Sequence, residues 1–217
     1  MELTPPSPIP CAIATEVRPW VAPQAPGFSP VVPADSSPSD YRHRLKPTPA
    51  GWPIRSHWCV WVEPVRDSGP TGVWEQRWHL AVMQAIATWQ RDLPITLVNQ
   101  PGQAQVLVER RRPPILNNRA SHGRATLQLL EVKREGGWQL EPKVAVLISP
   151  GQSPAAIQAN ALHELGHAFG LWGHSDQPGD VMAVQPGSQP ILQLSERDRS
   201  TLQWLQQQPR LRPLATP

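Results

Sequence analysis

His163-Glu164-Leu165-Gly166-His167-Ala168-Phe169-Gly170-Leu171-Trp172-Gly173-His174-Ser175 is the stretch on which the reading of this chain turns. His163 and His167 are four residues apart, so on a helix they stand one turn apart on one face and can both reach a single ion. Glu164 lies beside them. At about 100° per residue, Ile157, Ala161, Leu165, Ala168 and Phe169 fall on a different face, which leaves an apolar side for a core and a histidine side for a cleft. A lone histidine on a helix is more often a packed or surface residue than a ligand. A pair with an adjacent glutamate is the rarer pattern, and it points to a metal.

Working outward, Ser153-Pro154 is a good N-cap and first-turn pair, and Gly170 ends a helix that runs to about Phe169. Upstream, Val144 to Ile148, Ala125 to Lys133, Gln105 to Glu109 and Ile95 to Val98 read as strands, with Gly136-Gly137 as a turn signal. Before them, Trp74, Trp78, Ala81, Val82, Ala85, Ile86 and Trp89 recur at steps of three and four, the mark of an amphipathic helix that stops before Pro94. The run from Ser56 to Glu63 is rich in β-branched and aromatic residues and reads as a first strand. Downstream, Ser195 with Asp198 three residues on resembles a capping box and opens a last helix that ends before Pro209. The order is strand, helix, several strands, helix, helix.

The chain has 217 residues, enough for one mid-sized domain with an appendage. Residues 1–50 hold 12 of the 28 prolines and show no helical or strand periodicity. They read as a Pro-rich tail, and three alternatives stand open: it wraps the domain, masks its cleft or stays disordered. The expected organisation is therefore a tail over 1–50, propeptide-like or disordered, a domain over 51–208 and a short C-terminal tail over 209–217. The net charge of +3 is scattered, which argues against nucleic acid as a partner. No run is long and apolar enough to span a bilayer. Met1 to Pro8 lacks the basic start and apolar core of a secretory signal, although a leader removed before this numbering would leave no trace. Two cysteines, Cys11 and Cys59, exclude a disulfide-dense scaffold and leave a single bridge open, because sequence alone does not place their α-carbons.

The segment from His163 to Ser175 resembles the signature of the metzincin zinc metallopeptidases, the matrixin branch most closely. In that pattern Gly170 tolerates positive φ, so that the chain leaves the helix sharply and a third histidine swings back onto the ion. The family places this ligand three residues after the glycine. Here that position is Gly173, with His174 one residue later. Gly173 has no side chain to offer and the downstream spacing is undisturbed, so His174 is read as the third ligand and the extra residue is placed at Leu171, Trp172 or Gly173. The rival third ligands are Asp176, Asp180 or water. Ser175-Asp176-Gln177-Pro178-Gly179-Asp180-Val181-Met182 resembles the family's approach to its methionine turn, and Leu194-Ser195-Glu196-Arg197-Asp198 resembles the opening of its last helix. Arg197 stands where matrixins often have a second Asp.

The resemblance spans roughly 52–208 in element order and is specific over 163–182. It implies an α/β (α+β) zincin-like fold: a twisted, mostly parallel mixed sheet with one antiparallel edge strand, an active-site helix below the cleft and a small C-terminal helical subdomain. It further implies a Zn2+ cofactor on His163, His167 and His174, with Glu164 as the catalytic general base in peptide-bond hydrolysis. The edge strand, within Gly123 to Arg134, would bind a peptide or protein substrate by β-augmentation. Tyr41 is the sole tyrosine and no tyrosine follows Met182, so none from that turn assists. Residues 110–124 hold one histidine, His122, and no carboxylate, so the family's structural zinc and calcium are not expected. Cys11 could hold the enzyme latent, although the flanking motif is absent. A monomer is expected, and family habit suggests export. The competing readings are a metal- or peptide-binding protein that has kept the fold without catalysis, and an interaction protein that acts through its Pro-rich tail. Intact Glu164 favours the enzyme.

Overall fold

The expected elements form, in the expected order, in a computed structural model that describes residues 11–22, 38–66, 69, 72–116, 120–134, 137–184 and 187–211. The aromatic and β-branched run after Ser56 becomes strand β2 (Trp58–Val62), and the periodic tryptophans become helix α1 (Gly72–Trp89). Strands β3 (Ile95–Leu97), β4 (Val106–Glu109), β5 (Gly123–Arg134) and β6 (Gly137–Ile148) follow, then helices α2 (Pro154–Ala168) and α3 (Glu196–Gln206). Strand β6 starts seven residues before the expected Val144 and, with β5, makes a long hairpin. Gly136 of the expected turn lies outside the described residues.

A strand that the sequence did not announce comes first. β1 (Glu16–Pro19) lies fully exposed and pairs antiparallel with β5 from Leu130 to Lys133, completing a six-stranded sheet in the order β1-β5-β6-β4-β2-β3. β3, β2, β4 and β6 run parallel, β5 runs against them, and β1, antiparallel to β5, runs in their direction again. The architecture is thus a mixed α/β arrangement with a six-stranded mixed sheet. One strand, β5, runs against the others as expected, but β1 covers part of it, so that β5 is an outer edge only over Gly123–Gln128 among the described residues.

The parallel strands carry Val60, Val106, Val108, Val144, Val146 and Ile148 into the core, as β-branched side chains suit a strand buried under helices. Helices α1 and α2 pack together over this surface. Two fully buried tryptophans of α1 direct their indole N–H groups to backbone carbonyls, Trp78 to Ile148 O (3.1 Å) and Trp89 to Leu162 O (3.0 Å). Each bond lets a large apolar ring be buried without an unpaired donor.

The parts of residues 1–50 that are described lie against the domain. Cys11 is bonded to Cys59 of β2 with Cα atoms 5.8 Å apart, so Cys11 is a staple and not a latency ligand. Tyr41 and Leu45 are 0% and 1% exposed within the main core. Of the alternatives left open, residues 11–22 and 38–50 wrap the domain. Sparse apolar groups suffice for this because each enters a pocket built by elements far along the chain.

Candidate metal centre

Helix α2 begins where Ser153 Oγ accepts the N–H of Ala156 and Pro154 occupies the first turn. It ends where Gly170 adopts φ 110°. Gly170 N–H bonds His167 O (3.0 Å) and Leu171 N–H bonds Gly166 O (3.0 Å), the two reversed bonds of a Schellman stop. A Cβ at Gly170 would also lie 2.7 Å from Ile54 Cγ2, so both conformation and space require glycine there. Ile157, Ala161, Leu162, Leu165 and Ala168 face the core. Gly166 lets Met182 and Trp89 approach the helix so closely that an added Cβ would collide with the Met182 sulfur.

The other face of α2 carries His163, Glu164 and His167. After Gly170 the chain turns through Leu171, Trp172 and Gly173 and returns His174 to this face. His167 Nε2 and His174 Nε2 are 3.3 Å apart, and one ligand atom from each of the three histidines lies within 4.8 Å of the others. The ring centroids form a triangle with sides of 4.9, 5.3 and 4.8 Å. The loop is one residue longer than the family spacing, and it still closes on the first two histidines. The rival ligands are engaged elsewhere: Asp180 accepts from Ser195 Oγ (2.7 Å) and Arg197 (2.9 Å), and Asp176 pairs with Arg197 and Arg44.

Two of the rings are held from behind. His163 Nδ1 lies 2.7 Å from Val181 O and His167 Nδ1 lies 2.8 Å from Leu171 O. A carbonyl accepts only from an N–H, so each ring carries its proton on Nδ1 and presents an unprotonated Nε2 to the centre. Burial lowers the basicity of all three imidazoles and takes His167 down to about 3. Three imidazoles converging on one point, two of them with an unprotonated Nε2 turned to it, fit a borderline transition ion such as zinc. They do not fit calcium or magnesium, which take oxygen ligands.

Glu164 sits between α2 and the start of β5. A Cβ on Gly123 would come 2.8 Å from its Oε1, so the glycine opens the space that the carboxylate fills. Burial pushes this carboxyl up to about 7, while a backbone hydrogen bond from Ala125 and the charge of Arg124 pull the other way. Beside it a cavity of about 330 Å³ is lined by His122, Gly123, His163, Glu164, Val181 and Ile191 among others. Among the described residues its walls carry no lysine or arginine.

Sequence reasoning missed the braces behind these groups. Val181 N–H donates to Asp198 Oδ2 (2.9 Å), and the same oxygen accepts from Ser195 N–H in the capping box of α3. Asp198 Oδ1 accepts from the buried Tyr41 hydroxyl (2.8 Å). The capping box was legible in the sequence; its reach to the carbonyl that orients His163 was not. Trp172 stacks on His167 with centroids 5.4 Å apart, its carbonyl accepts from Lys46 N–H (2.8 Å), and Gly173 packs on the Arg44 backbone. No protein-family model matches the chain, and no curated protein matches it either.

Proposed function

We propose that this protein is a zinc-dependent endopeptidase of the metzincin type. The observation that carries the reading is the convergence of His163, His167 and His174 beside the half-buried Glu164 carboxylate, at the open end of a sheet edge and next to a cavity. The parallel core with an antiparallel outer hairpin, and Met182 packed beneath the helix of the histidines, support the zincin-like fold within the broader α/β class.

Zinc held by His163, His167 and His174 would supply a Lewis acid that acidifies a water and polarises a carbonyl. The chain's own groups do the rest. Val181 O and Leu171 O keep two of the imidazoles in the tautomer that leaves Nε2 available. Glu164 accepts the proton of the attacking water at its carboxylate and passes it to the leaving amine. Gly123 and Ala125 hold that carboxylate at the edge of β5, where an extended peptide adds as a further strand. The cavity beside Glu164 takes one of the peptide's side chains. Among the described residues no helix is long and apolar enough to cross a membrane. The Cys11–Cys59 bridge suits an oxidising compartment.

Elemental analysis paired with turnover of a mixed peptide library tests this reading. The wild type is expected to hold about one zinc per chain and to cleave peptides, whereas Glu164→Ala keeps the zinc and the fold and loses turnover. Zinc-loaded wild type that cleaves nothing would leave a metal- or peptide-binding protein in its place.

A further inference from the structure

β1 lies along the same outer edge of β5 that leads to Glu164. Its rungs run from Glu16 opposite Lys133 to Pro19 opposite Leu130, and the last is Trp20 N–H to Leu129 O (3.1 Å). Val21 then points into solvent, 81% exposed. Among the described residues no strand pairs with the outer side of Gly123–Gln128. The candidate site is at the other end of this open stretch, where Gly123 touches Glu164 and Ala125 bonds it. At about 3.4 Å per residue, the four steps from Ala125 to Leu129 span about 14 Å, or about four residues of extended peptide.

We propose that β1 is an end stop on the peptide-binding edge, an inference that rests on the peptidase reading above. A peptide that continues the antiparallel register of β1 runs from Leu129 toward Gly123, with its N-terminal side toward Trp20. It can place about four residues on that side of the bond to be cut. Longer peptides meet Trp20 and Val21 and must leave the sheet. On the bound edge alternate residues face outward, so Leu127 is the one whose N–H and C=O lie between the Trp20–Leu129 rung and the Glu164-bonded Ala125. Glu16 to Pro19 are all exposed, so the strand contributes little to the core and its place on the edge has another use.

The test uses the full-length, zinc-supplemented protein and peptides that share one cleavable sequence taken from a mixed library, with two, three, four, six or eight residues N-terminal to the cut. In the wild type kcat/KM rises about fivefold for each rung added and is level beyond four residues. In Arg18→Pro, which breaks the pairing of an edge strand, it continues to rise at six and eight. Residue-resolved amide exchange on Glu164→Gln with the four-residue peptide supplies a readout without turnover. The Leu127 amide gains protection while Leu129, Glu131 and Lys133 stay as they were. A wild-type kcat/KM that climbs steadily through eight residues, or protection of Glu131 with loss at Arg18, overturns the end stop and leaves the peptidase reading intact. Protection of Leu127 without cleavage of any peptide overturns the peptidase reading and keeps the end stop. Neither protection nor cleavage overturns both.

Discussion

At the scale of single residues, two of the three imidazoles of the centre are aimed by backbone carbonyls behind them. His163 and His167 are fixed through Nδ1 by carbonyls of Val181 and Leu171, whereas among the described residues no such carbonyl orients His174, which is the most exposed of the three. The third position is therefore the softest. His174→Ala leaves two nitrogen ligands on a fold whose core it does not touch. Zinc affinity in a competitive chelator titration is expected to fall by well over about tenfold, with the thermal midpoint of the metal-free protein unchanged. Unaltered affinity would show that His174 is not a ligand. Glu164 depends on an absence, since the missing side chain of Gly123 is what leaves room for its carboxylate.

Among elements, the loop from Gly170 to His174 carries the departure from the family spacing, and it is not a slack bulge. Trp172 lies over His167 and takes a hydrogen bond from Lys46, while Gly173 admits the Arg44 backbone. Shortening the loop to the common spacing would put another residue against Arg44 and strip the cover from His167. Deletion of Trp172 is accordingly expected to lower stability to urea by about 2 kcal/mol and to weaken zinc binding. A deletion variant as stable and as tight as the wild type would mean that the extra residue is merely accommodated. The segment before residue 51 and this loop thus form one unit, and the segment's contribution lies in packing.

Across the whole molecule, one buried ionic cluster joins the far end of the hairpin to the chain entering β2. Glu141 is 3% exposed, receives Arg134 through two bonds of 2.8 and 3.0 Å, and has Arg55 at 3.3 Å. Burial alone would raise its carboxyl, but the two guanidinium groups outweigh burial and hold it below the ordinary value of 4.5. Folding therefore favours the ionised form. The contribution is whole above about pH 4.5 and is lost as the pH falls through the lowered folded value. Glu141→Gln leaves two half-buried cations without their anion and is expected to cost about 3 kcal/mol near neutrality. Urea unfolding of both proteins at about pH 7 and about pH 3 should show that gap narrowing in acid. A gap of constant size would remove the ionic cluster as its cause.

The local sequence by itself determined the elements and the ligand-bearing helix. Three- and four-residue apolar steps, the Ser153-Pro154 start, the Gly170 stop and the Ser195–Asp198 capping box are short-range instructions, and each acts where it is written. The spacing of His163 and His167 is a property of one helix and was equally legible. Only the tertiary structure decided that His174 closes on them, that Cys11 meets Cys59, that Tyr41 is buried against Asp198, and that four exposed residues pair with β5 as β1. These contacts join residues separated by 48 to more than 110 positions along the chain, apart from His174, whose return depends on a segment more than 100 residues away. Such partners leave no period in the sequence: a strand with no buried face needs no alternation, and a tyrosine that fills a pocket made by another helix needs only to reach it.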